Sequence, residues 1–254
     1  MKILLPPSET KRSGGTGSPL RLDEWELASL RVQRDDVVSA LVSLAADQDA
    51  SRRVLKLSER QLGEIAHNAA LRTSQTMPAV DRYTGVLFDA LDAASLSTVE
   101  RRWLGAHVWI HSAPFGPVGA LDAIPAYRLG AAASVPGLLP LKRFWAASVT
   151  EAIAESAPDF VLDLRSEAYV ALGPVPQSVS AVYVRVVTDD SGGTRALNHF
   201  NKKAKGELVR LLAQERPQVR SLKALLRWAH SSGTTLRETS TEGIIELVVC
   251  GTPQ

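Results

Sequence analysis

The sequence predicts a mixed α/β (α+β) fold: a single compact domain over residues 1–254, with a mixed sheet, β-hairpins and packed helices. Three observations carry this. Short apolar runs with strand character, such as Lys2–Leu5 and Phe160–Leu164, alternate with longer stretches of helical period. Strands are joined both through helices and through a tight turn, Asp190-Ser191-Gly192-Gly193, which reads as a β-hairpin. No internal repeat and no long linker divides the chain.

The elements come in this order. "KILL" is a short buried strand, stopped by Pro6-Pro7, which cannot continue a ladder. The loop after it, "PPSETKRSGGTGSP", carries Lys11 and Arg12 but has neither the order of a P-loop nor that of a Rossmann turn. From Asp35 the pattern is helical, with Val37, Val38, Leu41, Val42 and Ala45 on one face. Capping boxes at Ser58-x-x-Gln61 and Ser97-x-x-Glu100 mark two further helix starts. His107 to His111 reads as a strand followed by a loop punctuated by Pro and Gly. "LKRFWAASVTEAIAES" is helical, with Phe144, Ala147, Ile153 and Ala154 as its apolar stripe. After the hairpin come helices over about Lys203–Gln214 and Ser221–His230, then strands Thr235–Ser240 and Ile244–Cys250.

Composition excludes several classes. The net charge is only +2, so a nucleic-acid role requires cations gathered on one face. One cysteine, Cys250, allows no intrachain disulfide and fits a reducing, cytoplasmic setting. The apolar run Ile3–Leu5 is too short for a signal peptide, and no stretch is long enough to span a membrane. No metal or other cofactor is expected. His107 and His111 on one strand stand about 13 Å apart, and neither HExxH nor GxSxG occurs.

Three stretches carry side chains suited to chemistry. In "DLRSEAYVALG", Arg165, Ser166, Glu167 and Tyr169 follow a buried strand, where open α/β sheets place ligands; the plain alternative is a surface ion pair behind an N-cap serine. In "DAIPAYRLGA", Tyr127 and Arg128 set a ring beside a guanidinium, which suits a nucleotide or equally a packed surface arginine. In "LNHFNKKAKGELVRLL", Lys202, Lys203 and Lys205 crowd at the expected start of a helix. Lysines are unfavourable there unless an external anion joins them.

Five ordered segments together resemble the YaaA peroxide-stress protein family: "MKILLPPSETK", "DRYTGVLFDAL", "GALDAIPAYRLG" with "LKRFWAASVTEAI", "VLDLRSEAYVALG" and "FNKKAKGELVRLL". The family's first loop commonly reads S-P-A-K-T; here it is Pro6-Pro7-Ser8-Glu9-Thr10-Lys11, with the basic residue displaced and a glutamate beside it. The resemblance implies a YaaA-like fold with a basic cleft, a helix-hairpin-helix-like element, and DNA binding in a cytoplasmic protein that limits peroxide damage from unincorporated iron. Leu55–Ala70 and "VPGLLPLKRFW" are the two places for that element. The expected partner is DNA, duplex or branched, held without sequence preference by Lys11, Arg128, Lys142, Arg143, Ser166, Lys202, Lys203, Lys205 and Arg210. The alternative is an enzyme on a nucleotide, nucleobase or similar small anion, with Glu167, Tyr127 and Tyr169 as candidate catalytic residues.

Overall fold

A computed structural model describes residues 1–190, 193–195 and 198–249. The chain opens with β1 (Lys2–Leu5), whose Ile3, Leu4 and Leu5 are wholly buried. A long helical excursion comes next: α1 (Arg31–Leu44), α2 (Gln48–Leu55) and α3 (Ile65–Ala69). Then come the short strand β2 (Met77–Pro78), α4 (Ala79–Arg82), α5 (Val86–Leu91) and α6 (Thr98–His107). The Ser97 box closes in both directions, and its Oγ caps α6 by accepting from the Glu100 N–H. The Ser58 box also forms, but it starts a 3-10 turn over Glu59–Glu64 before α3 begins.

The chain returns as β3 (Val108–Ser112) and turns back at once as β4 (Gly116–Gly119), where a loop was expected. His107 therefore ends a helix, stacked on Trp103, while His111 sits inside a strand. A small strand β5 (Ala123–Ile124) pairs with β2. Then come α7 (Leu141–Glu155), β6 (Val161–Asp163), α8 (Glu167–Val170), and the hairpin of β7 (Ala181–Asp190) with β8 (Gly193–Arg195). The turn residues Ser191 and Gly192, and Cys250, lie outside the described residues. The chain closes with α9 (Asn198–Glu215), α10 (Leu222–Ser231), β9 (Leu236–Glu238) and β10 (Ile244–Val249).

The main sheet runs β4-β3-β1-β6-β7-β10-β9, with β8 added beside β7. Its five middle strands, β3, β1, β6, β7 and β10, are mutually parallel, and antiparallel strands close both edges. Strands buried on both faces need continuous apolar runs, and Val108–Ile110, Ile3–Leu5 and Val161–Leu162 supply them. Counted in chain order, the parallel strands lie as 2-1-3-4-5. In that order the connections reverse direction beside β1, and a crevice opens between the carboxyl ends of β1 and β6. The Ser8–Arg12 loop leaves the end of β1, and the Arg165–Tyr169 turn leaves the end of β6.

α9 starts earlier than its sequence suggests. The helix was expected from about Lys203, with the lysines crowding its start, yet it begins at Asn198 and the whole run lies inside it. The glycine has a packing cause. A Cβ on Gly206 would sit 2.2 Å from the Leu87 carbonyl oxygen and 2.9 Å from the Ala90 Cβ, so only glycine lets α9 approach α5 this closely. With the lysines in the second turn, the argument that they crowd an unsatisfied helix terminus no longer applies.

Candidate functional site at the carboxyl ends of β1 and β6

The first loop is irregular backbone that would lie loose without anchors, and the segment "DRYTG" supplies them. The wholly buried Arg82 donates to Arg12 O at 2.6 Å, to Gln75 O and to Ile124 O. The Arg12 N–H returns a bond to Arg82 O at 2.9 Å, Lys11 bridges to Tyr83, and the Thr84 N–H donates to Thr10 O. These straps hold Lys11 in place. Its Nζ donates to Ser8 O and Glu9 O at 3.0 and 3.2 Å, and lies 4.0 Å from the centre of the Tyr127 ring. Burial, and then the nearby Arg128 charge, push the Lys11 amine down from its usual range to about 7.

Tyr127 is buried, and its hydroxyl meets that of Tyr83 at 2.8 Å; burial raises both phenols. The Arg128 backbone is fixed in both directions by the Asn68 side-chain amide. Its guanidinium lies between Glu9 and Glu64, at 3.6 and 3.5 Å. Tyr169 stands close by. Burial raises its phenol, and the Glu9 carboxylate raises it further.

On the β6 side, Arg165 is wholly buried and closes a two-pronged pair with Asp163, at 2.9 and 2.6 Å. It also donates to Gly173 O and reaches His111 Nδ1, both at 2.8 Å. Burial, then the Arg165 charge, hold His111 well below its usual pKa, so the ring is neutral. Arg165 thus acts within the fold rather than toward solvent. Ser166 is the exposed N-cap residue of α8, and the exposed Glu167 carboxylate makes no hydrogen bond or ion pair among the described residues.

Helical period sorts the lysine run of α9. Lys202 and Lys203 are exposed, Lys203 beside Glu207 at 3.5 Å, while Lys205 turns inward and is 4% exposed. Its Nζ lies 5.7 Å from the Tyr183 ring centre and in the field of Asp163. Burial pushes its pKa down to about 8, although Asp163 opposes the shift. Arg210 is occupied elsewhere, donating to Leu91 O, Asp92 O and Ser95 Oγ at the end of α5. Lys142 and Arg143 are exposed in the first turn of α7, near Trp145, whose indole donates to Ala113 O just beyond β3. They therefore flank the same end of the sheet.

The five segments singled out in the sequence thus meet around one end of the sheet, in an order that matches a single family. A family model described as peroxide stress protein YaaA matches residues 1–238. The chain belongs to the YaaA peroxide-stress family. A UPF0246 protein of Corynebacterium glutamicum is 40% identical over 244 residues, covering 94% of this chain and 95% of its own. One of Streptomyces coelicolor is 41% identical over 214 residues, 84% of this chain and 82% of its own. An uncharacterized protein of Campylobacter jejuni is 25% identical over 253 residues, 98% of both.

Of the two segments where a helix-hairpin-helix-like element was expected, one has helices on both sides. α2 ends at Lys56, which takes a left-handed conformation, and the chain re-enters 3-10 and α-helix from Glu59. Before "VPGLLPLKRFW", residues 125–134 contain no helix. Sequence reasoning passed over Tyr83, Asn68 and Glu64, which hold Tyr127 and Arg128. Asp163, in the same "DLRS" turn, was legible but carried no assigned role. Among the described residues there is no group of His, Cys, Asp and Glu able to hold a metal ion, and no helix is long and apolar enough to cross a membrane.

Proposed function

We propose that this peroxide-stress protein binds the phosphate backbone of DNA, without reading its sequence, at the face where the parallel strands end. The reading is supported by exposed cations on the segments that border that face. Lys142, Arg143 and Lys202 make no ion pair among the described residues, and Lys203 has only an exposed i,i+4 partner. The helical hairpin adds Arg53, Lys56 and Arg60, all exposed and unpaired among the described residues. Through Glu64 and Asn68 the same segment abuts Arg128. Such cations displace condensed counterions from a duplex, so affinity falls with salt. Protection from iron-driven peroxide damage then acts at the DNA, with iron itself left unbound by the protein.

Fluorescence anisotropy with duplex and branched DNA tests this. Affinity is expected to fall by tenfold or more between 50 and 200 mM salt, on the order expected for several phosphate contacts. The pair Lys202→Ala with Lys203→Ala reduces the log–log salt slope by about 2, near one unit for each phosphate that a lysine neutralises. Binding that ignores salt, or that survives that pair unchanged, overturns the reading.

A further inference from the structure

Lys11 stands where the chain leaves β1, beside the crevice in which this strand order places ligands. Its Nζ has two acceptors, Ser8 O and Glu9 O. A neutral amine has two N–H groups to give them; an ammonium has a third, for which no acceptor stands among the described residues. The Tyr127 and Tyr83 rings, 4.0 and 5.5 Å from the nitrogen, shield it. The charges facing it are Arg128 and Arg82 against Glu64 and Glu9, and with burial they bring the amine down to about 7. About half of it is then neutral and nucleophilic at pH 7. The side chain is only half-buried, so the nitrogen is within reach of a ligand. A lysine that served only to tie down the loop would gain from keeping its charge for the two carbonyls. Here the strapping that places Lys11 also weakens that charge.

Arg128 is the second part of the site. Its side chain is 15% exposed, yet its guanidinium makes no hydrogen bond among the described residues. Glu9 and Glu64 stand 3.6 and 3.5 Å away, beyond the usual range of about 2.7–3.2 Å. The Glu9 side chain is 85% exposed and can swing into water. A guanidinium held this way suits an incoming phosphate, which its planar fork meets in two-pronged fashion.

We propose that Lys11 is a nucleophile that forms a Schiff base with the open-chain aldehyde of a sugar phosphate, whose phosphate takes the place of Glu9 on Arg128. The lone pair of Nζ attacks the aldehyde carbon. A C–N bond forms, and the carbonyl oxygen becomes a hydroxyl by taking a proton that the nitrogen gives up. The C–O bond then breaks, the hydroxyl leaves as water with the second amine proton, and a C=N bond remains. No oxidant or reductant is consumed. Once protonated, the imine keeps one N–H for the loop carbonyls. Two carriers present this chemistry: the abasic deoxyribose of damaged DNA and a free sugar phosphate. For the first the inference rests on the DNA reading; for the second it stands without it.

Trapping with cyanoborohydride at pH 7 on the full chain tests it, because reduction turns the imine into a stable amine. The probes are a duplex with one abasic site, glycolaldehyde phosphate and glycolaldehyde. Intact mass and peptide mapping read the adducts, and anisotropy measures binding of the undamaged duplex alongside. The parent takes one adduct per chain, on Lys11. Trapping of the abasic duplex identifies DNA as the carrier. Trapping of glycolaldehyde phosphate alone identifies the free sugar phosphate, whether or not the undamaged duplex binds. Lys11→Met removes the adduct, and mapping on the parent decides the matter should that variant fail to fold. Arg128→Gln slows trapping of glycolaldehyde phosphate by about tenfold, through loss of the paired phosphate contact, and leaves glycolaldehyde unaffected. The proposal is overturned if neither phosphate probe is trapped, if Lys202 and Lys203 react as readily as Lys11, if a folded Lys11→Met traps like the parent, or if Arg128→Gln treats both small aldehydes alike. An undamaged duplex that binds while Lys11 stays unmodified by both phosphate probes overturns this inference and leaves the DNA reading standing.

Discussion

The first loop and the second turn of α9 both bring a lysine out of water at the same end of the sheet, by different means. In the loop, tertiary straps do it: Arg82 and the backbone of Thr84 tie down irregular chain, and Lys11 ends between two carbonyls and an aromatic ring. In α9, helical period does it: three lysines within four residues are divided, two outward and one inward, because α9 lies tight on α5. The loop lysine is hydrogen-bonded and the helix lysine is not. The difference separates a cation tied into the architecture by hydrogen bonds from one held by packing, the Tyr183 ring and the field of Asp163.

The sharpest way to break the α9 half is Gly206→Ala. The new Cβ meets the Leu87 carbonyl, which is backbone and cannot swing aside, so α5 and α9 must part. A loss of about 3 kcal/mol is expected, at the upper end for overpacking. Urea denaturation measures it, and an unchanged midpoint would show that the close approach is not needed. Next is Arg82→Met, which breaks the loop half. It leaves the Arg12, Gln75 and Ile124 carbonyls without their donor, at a cost of about 2 kcal/mol for stranded buried acceptors. It also frees Lys11, whose pKa should return toward the usual lysine range. Reductive methylation with NMR detection tracks that value, and a Lys11 still near 7 would mean the strap is not what buries it.

Legibility in the sequence divides along the same line. Periodicity and caps exposed α1, α6, α7 and α10, and apolar runs exposed the parallel strands, because those signals lie within a few residues. α2 escaped notice because Gln48–Leu55 is short and charge-rich, with little apolar stripe. The start of α9, at Asn198 rather than about Lys203, escaped because crowded lysines look like a helix end, and the reason for Gly206, its packing on α5, lies far away in sequence. Arg34 shows the limit most plainly. It is wholly buried, stacked near Trp25 and bonded to Phe115 O and Pro117 O, and nothing in its own helix announces this. At the site, residue types were readable, but the pairing of Lys11 with Tyr127 and of Arg128 with Glu64 depends on distant segments meeting.

The half-buried Lys11 and the buried Lys205 also make a joint prediction in pH. Their folded pKa values, about 7 and about 8, lie below the unfolded value of 10.5. Between those limits the unfolded chain binds more protons than the native one, so stability rises with pH from about 7 to 10.5. Lys11→Met should lower the slope across the whole range from about 7, and Lys205→Met only above about 8. Urea midpoints taken from pH 7 to 10 separate the two, and a slope unaffected by either variant would place both amines in the ordinary lysine range.

The smallest effect belongs to the outward side of α9. Lys203 reaches Glu207 across one exposed turn, and such pairs contribute about 0.3–0.5 kcal/mol at most, less in salt. Lys203→Ala should therefore leave the urea midpoint nearly unmoved, since alanine also favours the helix. The same change should weaken DNA binding measurably and lower its salt slope by about 1. A folded variant that keeps its stability but loses DNA affinity shows that the outward lysines serve the partner. Stability falling together with affinity would instead make the lysine run part of the frame.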